Sequence, residues 1–383
     1  VTALRRIVYP ACLALLWPVN QLLAIVMRSR FVPGSVLHVS YMGRIPHQTV
    51  RILREHGVAA DYLAVGDSPV WSESDHQINN TGFPLFTPFR EFLMVWRVVA
   101  RYEIVHAHFM VTVTRSGWEV PLLKRMGRRL VAHYRGCEVR DRERNMAMHP
   151  AVNICQECDY DPLPCKAPYN IMRRRLAASH ADAVLVTTPD LKDFAPEAEH
   201  MPFFLPHDVQ LSTPAPTSGR PFVIVHATNH PGIEGTSHIR AAIDRLRAKG
   251  HAIEFRFFSG ARYQDIADAL RTADLAIGKM KMGYYANAQI ESMAAGVPTV
   301  TCVRDEFMTA ALQRSGFIFT SIDALETTLE HYLTHPDALA EKRAAARASI
   351  AALHDNAALV RRYRDVYDRV RAPKQTATAG AGA

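Results

Sequence analysis

The feature that most constrains this chain is an alternation, sustained from residue 35 to residue 321, of short apolar runs with amphipathic stretches of helical period. A run of branched and aromatic residues followed by such a stretch is the pattern of a parallel sheet covered by crossover helices. SVLHVSYMG (35–43) reads as a strand ending at Gly43, and HQTVRILREHG (47–57) reads as a helix closed by glycine. Residues 59–65, 102–108, 129–136 and 182–188 continue as strands, each ending where a loop can present polar groups at the carboxyl edge of the sheet. The pattern stops in a proline-rich stretch, 205–221, which reads as a linker. It then restarts with strands at 222–228, 252–260, 274–280, 297–303 and 317–321 and helices at 237–250, 263–273 and 287–296. The expected organisation is an apolar segment 1–30, an α/β unit 31–205 with a cysteine-containing loop 137–165, and a second α/β unit 206–355. A C-terminal helix 356–371 packs back on the first unit, and a small, polar tail 372–383 reads as disordered.

Ile7 to Met27 form an apolar run bracketed by Arg5, Arg6, Arg28 and Arg30. At about 20 residues it is long enough to span a bilayer. Pro10, Pro18, Asn20 and Gln21 interrupt it, and Trp17 with flanking arginines suits a helix lying in the interface as well as one that crosses. Membrane contact is the reading it favours, with a buried helix or a cleaved signal as the alternatives. The formal charge of +8 and the pI near 9.2 favour an anionic partner. Much of that charge sits beside the apolar segment, in residues 117–130 and in the C-terminal helices, with no nucleic-acid-binding motif, so nucleic acid is not an expected partner. GWEVPLLKRMGRRL (117–130) reads as a basic amphipathic helix, with Trp118, Lys124, Arg125, Arg128 and Arg129 facing an anionic membrane surface or acceptor. The aromatic-rich 81–99 is a second apolar candidate, and ordinary packing is the plain alternative for both.

Two Rossmann-like units, a central linker and closing C-terminal helices resemble the GT-B glycosyltransferases. HATNHPGIEGTSHIRAAI (226–243), ADLAIGKMKMGYYANAQIESMAAGVPTV (273–300), LPHDVQ (205–210) and HDNAALVRRYRDVYDRV (354–370) are similar to segments of the retaining, family-4-type enzymes. The most specific piece is GYYANAQIESMAAGVP. The resemblance implies a nucleotide-diphosphate sugar donor, a lipid-linked or polysaccharide glycan acceptor, and no cofactor required for catalysis. It places the protein at the cytoplasmic face of the inner membrane, where activated sugars are supplied, as a peripheral or monotopic enzyme.

That piece also has a physical reading. A glycine-containing loop, 283–286, feeds a helix starting near Asn287, whose free N–H groups and dipole suit a diphosphate. Glu291, one turn in, can accept hydrogen bonds from ribose hydroxyls, although a plain crossover helix would use it only to solvate a face. The candidate donor set is Gly43, His230, Lys279, Lys281, Gly283, Tyr284, Tyr285, Ala286, Asn287 and Glu291. Two departures stand out: Gly283 occupies the place of the family's donor-sugar glutamate, and the family's diphosphate-neutralising lysine falls at Glu234. Lys279 and Lys281 are candidates to restore that charge. In the first unit VAHYRGCEVRD (131–141) resembles a His-Gly-Ser-Asp type strand end, with Arg135, Cys137 and Glu138 aligned on Gly136. His133, Arg135 and Glu138 are the expected reaction-centre residues, and Arg135 and Arg140 suit a leaving diphosphate. A catalytically silent GT-B relative acting as a binding or assembly subunit, and a sugar-nucleotide epimerase of the same architecture, are the alternatives.

CQECDYDPLPC (155–165) spaces three cysteines as C-x2-C-x6-C, with Cys137 as a possible fourth. Cys155, Cys158 and Cys165 with Cys137, or with His149 or Asp159 as substitutes, are candidate ligands of a structural zinc. A disulfide, or reduced thiols without a partner, are the other readings, and none makes the thiols catalytic.

Overall fold

The computed structural model describes residues 2–69, 71–79, 86–213 and 219–372, with side chains from residue 8 onward. The tail from residue 373, the linker residues 214–218 and residues 81–85 of the aromatic segment lie outside the described residues.

The first unit holds strands β1 (Val32–Tyr41), β2 (Ala60–Val65), β3 (His76–Ile78), β4 (Tyr102–His108), β5 (Arg129–Tyr134), β6 (Ala183–Val186) and β7 (Glu199–His200). They form a seven-stranded sheet in the order β3-β2-β1-β4-β5-β6-β7, every pairing parallel. The second unit holds β8 (Phe222–Ala227), β9 (Ile253–Phe258), β10 (Leu275–Ile277), β11 (Thr299–Thr301) and β12 (Phe317–Phe319), in the parallel order β12-β11-β10-β8-β9. Each sheet reverses its direction of growth once, between β1 and β4 and between β8 and β10. At such a reversal the crossover helices leave to opposite faces and a crevice opens beyond the strand ends.

Period-2 alternation sorts the first sheet's side chains onto two faces. Leu37, Val39, Val105, Ala107, Leu130 and Ala132 pack beneath the helices Thr87–Arg97 and Glu119–Arg125 and the N-terminal helix Thr2–Val26. Val36, Tyr62, Ile104, Val131 and Leu185 face the other way, onto the helix Arg44–Glu55 and onto Leu359, Tyr363, Val366 and Tyr367 of the C-terminal helix Asn356–Arg371.

Between these apolar residues the same face carries four histidines without solvent exposure, His38, His106, His108 and His133. Sheet register places His38 beside His106 and His108 beside His133. A continuous chain of hydrogen bonds joins them: His108 Nε2 to His38 Nδ1 (2.8 Å), His38 Nε2 to the Tyr367 hydroxyl (3.1 Å), and that hydroxyl to His106 Nδ1 (3.0 Å). His106 Nε2 then meets His133 Nδ1 (3.0 Å), and His133 Nε2 meets Thr187 Oγ1 (3.1 Å). Thr187 donates to the Tyr134 carbonyl (3.4 Å), which only accepts, so it must accept from His133. That fixes every tautomer back along the chain and leaves His108 Nδ1 as a buried lone pair without a partner. An added proton on His38, His106 or His133 would set two donors against each other, and one on His108 would be a buried charge without a partner. Burial, reinforced by Arg135, holds His38 down to about 3 and keeps His106, His108 and His133 well below the ordinary 6.5.

The N-terminal helix lies along the first unit. The Tyr9 hydroxyl donates to Glu91 (2.6 Å), and Trp96 Nε1 donates to Asn20 Oδ1 (2.7 Å). Arg128, 1% exposed, donates to the carbonyls of Met27 (2.6 Å), Arg28 (3.0 Å) and Arg30 (3.3 Å) just past the helix, and to that of Ala100. This corrects the reading of 117–130 as a membrane-facing helix. Only Glu119–Arg125 is helical and Trp118 is buried. Lys124 and Arg129 reach Asp182 at 2.6 and 3.8 Å, and the exposed Arg125 bonds Gln21. The basic side chains are drawn inward because a helix C-terminus and a buried carboxylate both need cations. The outward side of the N-terminal helix stays apolar, with Leu15, Leu22 and Ile25 exposed by 79%, 62% and 72%.

Histidines held neutral in the fold, but titrating near 6.5 when unfolded, contribute stability that is complete above pH 6.5 and lost as pH falls below it. Each contributes up to about 1.4 kcal/mol per pH unit in that window. Urea melts from pH 7.5 to 5 should show stability falling ever more steeply with acid, with more than one proton taken up on unfolding. A flat profile would contradict the network.

Candidate functional site

The reversal points of the two sheets face each other, and a cavity of about 520 Å³ fills the space between them. Tyr41, the last residue of β1, and Phe109, just beyond β4, form part of its wall with Arg135 and Glu138; His230, Glu234, Lys279 and Asn287 form the opposite side. Phe109 and Met110 hold the left-handed backbone (φ 54° and 47°), a costly conformation for such side chains that turns the chain sharply at the cavity floor. A second cavity of about 320 Å³ lies in the second unit, lined by Thr228, Asn229, Asn287, Glu291 and Ser292, and it shares His230, Glu234 and Asn287 with the first.

Between the cavities starts the helix Asn287–Ala294. The Ala286 N–H is capped by the Gln289 side chain (3.1 Å), and Asn287 Nδ2 donates to Glu291 Oε1 (2.7 Å). Glu291 also pairs with Arg44, which reaches across from the first residue of the helix Arg44–Glu55 and lies 3.7 Å over the Tyr263 ring. Gly43 precedes that helix, with its N–H on the Tyr62 hydroxyl (3.2 Å); it lines neither cavity and acts by setting Arg44 in place. Nothing in the sequence pattern marked Arg44, because its partner stands on the far side of the linker. Lys279 pairs with Glu234, so the carboxylate at the expected lysine position is neutralised by a lysine from the neighbouring strand end.

Several predicted donor residues lie elsewhere. Lys281, its side chain 1% exposed, lines neither cavity and binds Glu157 of the loop 155–165 (3.0 Å) and the Gly232 carbonyl (3.3 Å). Gly283 has φ 79°, and a Cβ there would stand 2.7 Å from Arg304 Cγ. Arg304 runs on to Asp193 (2.7 Å) and His149 (2.8 Å), tying the two units together where the resemblance has its donor-sugar glutamate. Tyr284 and Tyr285 stack at 4.4 Å within the core, and Tyr285 bonds His354 (3.1 Å), because the loop turns both rings toward Phe317 and Phe307. Ala286, Asn287, His230 and Lys279 do line the large cavity.

Of the expected reaction centre, His133 is corrected: both ring nitrogens are engaged beneath the C-terminal helix and it does not reach the cavity. Arg135 does reach it, its guanidinium 5.5 Å over the Phe203 ring, with burial lowering its pKa and Nε left without a partner. Glu138 lines the cavity too, but its carboxylate accepts from the N–H groups of Arg135 and Gly136 (3.1 Å for the latter), and burial raises its pKa. Arg140 is paired with Asp190.

The four cysteines are free, and Cys155 is buried against Ile154 and Ile233 with Cys137 and Cys158 beside them. Burial pushes the Cys137 thiol up to about 11 and raises Cys155 and Cys165. Among the described residues the potential metal-ligand atoms that converge within 4.8 Å are those of His38, His106 and His108, not the thiols. Five of the six ring nitrogens of those imidazoles are engaged in the hydrogen-bond chain and Arg135 faces them, so they are not arranged to hold a cation.

No protein-family model matches the sequence, and no curated protein matches it by sequence. Solved structures match its fold over almost their full length. Sucrose-phosphate synthase from Thermosynechococcus elongatus superposes with a TM-score of 0.59 at 14% identity, covering 88% of this chain and 98% of that one. HepE from Anabaena, solved in complex with UDP and glucose, gives 0.58 at 12% identity over 87% and 99%. The catalytic domain of starch synthase IV from Arabidopsis thaliana, bound to ADP and acarbose, gives 0.56 at 10% over 88% and 99%. The fold is GT-B.

The placement of Gly283 is open to test. Gly283→Ala should cost about 1–3 kcal/mol in urea melts through positive φ and overpacking. The loss should be smaller on an Arg304→Ala background; equal losses would contradict the contact.

Proposed function

We propose that this chain is a glycosyltransferase that takes a sugar from a nucleoside-diphosphate donor bound in the cleft and passes it to a glycan acceptor at a membrane surface. The observation that carries the reading is Glu291. Its carboxylate faces a cavity next to the interdomain cleft, one turn into a helix whose N-terminus lies between the two cavities. The GT-B fold and neighbours solved with UDP or ADP support it. The smaller cavity suits base and ribose, with Glu291 accepting from ribose hydroxyls once Arg44 moves aside. The diphosphate then lies between the Asn287 end of the helix, where N–H groups point outward, and the loop 230–234. Lys279 stands beside it.

The sugar would occupy the larger cavity under Arg135, whose guanidinium, without a carboxylate bridge among the described residues, stabilises charge developing on the leaving diphosphate. Among the described residues of the first unit no free carboxylate or imidazole lines that cavity as a base, since Glu138 is bound to the N–H groups of Arg135 and Gly136 and His133 is sealed away. This supports the retaining course, in which the donor phosphate itself helps deprotonate the acceptor. Leu15, Leu22 and Ile25 on the outward face of the N-terminal helix suit burial at the boundary of headgroups and acyl chains. The helix is held along the first unit at both Tyr9 and Asn20, which favours lying in the interface over crossing it. A lipid-linked acceptor and a peripheral position on the cytoplasmic face of the inner membrane follow from this reading. A silent binding subunit is the second reading, favoured by the ion pairs that tie Glu291 to Arg44 and Lys279 to Glu234.

Calorimetry with UDP, GDP, ADP and CMP should show saturable binding of one diphosphate, weakened about tenfold or more by Glu291→Ala. Release of that nucleotide from its sugar conjugate should depend on Arg135, falling about a hundredfold in Arg135→Ala. Binding without turnover would select the silent subunit, and no binding would remove the donor site. In a separate assay, sedimentation with anionic vesicles should weaken about tenfold or more in Leu15→Ser/Leu22→Ser/Ile25→Ser.

A further inference from the structure

We propose that the loop 155–165 of the first unit is an autoinhibitory strap. Its carboxylates Glu157 and Asp159 occupy anion-recognising groups on the donor side, and a diphosphate gains them by displacing the strap. The proposal rests on the donor-site reading above.

The contacts run in one direction across the cleft. Asp159 accepts from the Gly232 N–H (3.0 Å) and stands 3.6 Å from His230 Nδ1. Tyr160 lays its ring 3.8 Å from that imidazole. Glu157 accepts from Lys281 Nζ (3.0 Å) and stands 3.7 Å from His238 Nε2. The donors all belong to the second unit, at 230–238 and 281, and the carboxylates both belong to one short loop of the first. A phosphate oxygen can accept from this same set: a backbone N–H, an ammonium and imidazole N–H groups. Gly232 has no side chain where a Cβ would stand 2.0 Å from the Glu157 carbonyl, so the strap lies directly against the loop.

Two features make the contact reversible. The Glu157 and Asp159 side chains are 47% and 32% exposed, and ion pairs so open to water hold a fold only weakly. Lys281, by contrast, is 1% exposed and has Glu157 as its counter-charge. A cation buried so deeply needs an anion. When the strap lifts, the incoming ligand supplies that charge, and exchange of one anion for another leaves the lysine compensated throughout. Arg304 bridges the units elsewhere, so release of the strap does not require the cleft to fall open.

The test uses the full chain, with inorganic pyrophosphate and UDP titrated at fixed ionic strength into wild type, Glu157→Ala/Asp159→Ala, and Asp161→Ala. Asp161 is exposed on the same loop, so its variant controls for the general loss of negative charge. A strap closed for nine-tenths of the time raises the apparent Kd about tenfold. The double variant should therefore bind pyrophosphate about tenfold more tightly, with the control within about twofold of wild type. Hydrogen exchange across 155–165 of the wild type should quicken when pyrophosphate is added. Equal affinities in all three proteins, equal tightening in the control, or weaker binding in the double variant would overturn the strap while leaving the donor site standing. Failure of all three to bind either anion would overturn the donor site and the strap together.

Discussion

A parallel sheet has to be covered on both faces, and in this chain the first sheet obtains part of one cover from the last helix of the sequence. That requirement sends the chain across the cleft twice, out through the linker and back before Asn356. The two crossings are fastened to each other: Asn356 exchanges hydrogen bonds with both the N–H and the carbonyl of Leu205 (2.8 and 2.9 Å), and His354 meets the Phe203 carbonyl (2.8 Å). The two carboxyl edges are thereby held opposite each other, which makes a cleft of what would otherwise be two separate α/β units. The same helix seals the four histidines, so the polar layer under the cleft floor is tied to the connection that sets the cleft.

Charge in the cleft is arranged by pairing. Glu291 has Arg44, Glu234 has Lys279, Asp193 has Arg304, and Glu157 has Lys281, each pair joining separate segments and three of the four joining the two units. Arg135 differs: it reaches the cavity without a carboxylate ion pair among the described residues. A ligand that brings two negative charges can therefore exchange places with the existing anions, and it meets in the Arg135 guanidinium a cation without a carboxylate bridge among the described residues.

The sheets, their order of appearance and the site helix were legible because each depends on local pattern: alternating apolar runs, a glycine after a strand, and the Asn287 to Glu291 turn. The short edge strands His76–Ile78 and Glu199–His200 were not, since polar residues there carry no apolar run. Strand parity correctly placed His133 on the same face as Arg135. Depth along the strand, and cover from a helix more than two hundred residues later, decided that only Arg135 opens to the cavity. Arg128 and Lys124 looked like a lipid-facing basic patch because their partners, helix-end carbonyls and Asp182, lie far away in sequence. The charge lost at Glu234 was legible as one that Lys279 or Lys281 could restore, but which of the two does so was settled only by the fold, which pairs Lys279 with Glu234 and Lys281 with Glu157.

The most direct test of the donor site is a crystal structure of the chain with the nucleoside diphosphate it binds best. The account predicts ribose hydroxyls on the Glu291 carboxylate and the diphosphate between the Asn287 helix end and the loop 230–234, with Arg44 displaced from Glu291. A nucleotide lodged outside the cleft, or one inside it with the Arg44 to Glu291 pair intact, would contradict it.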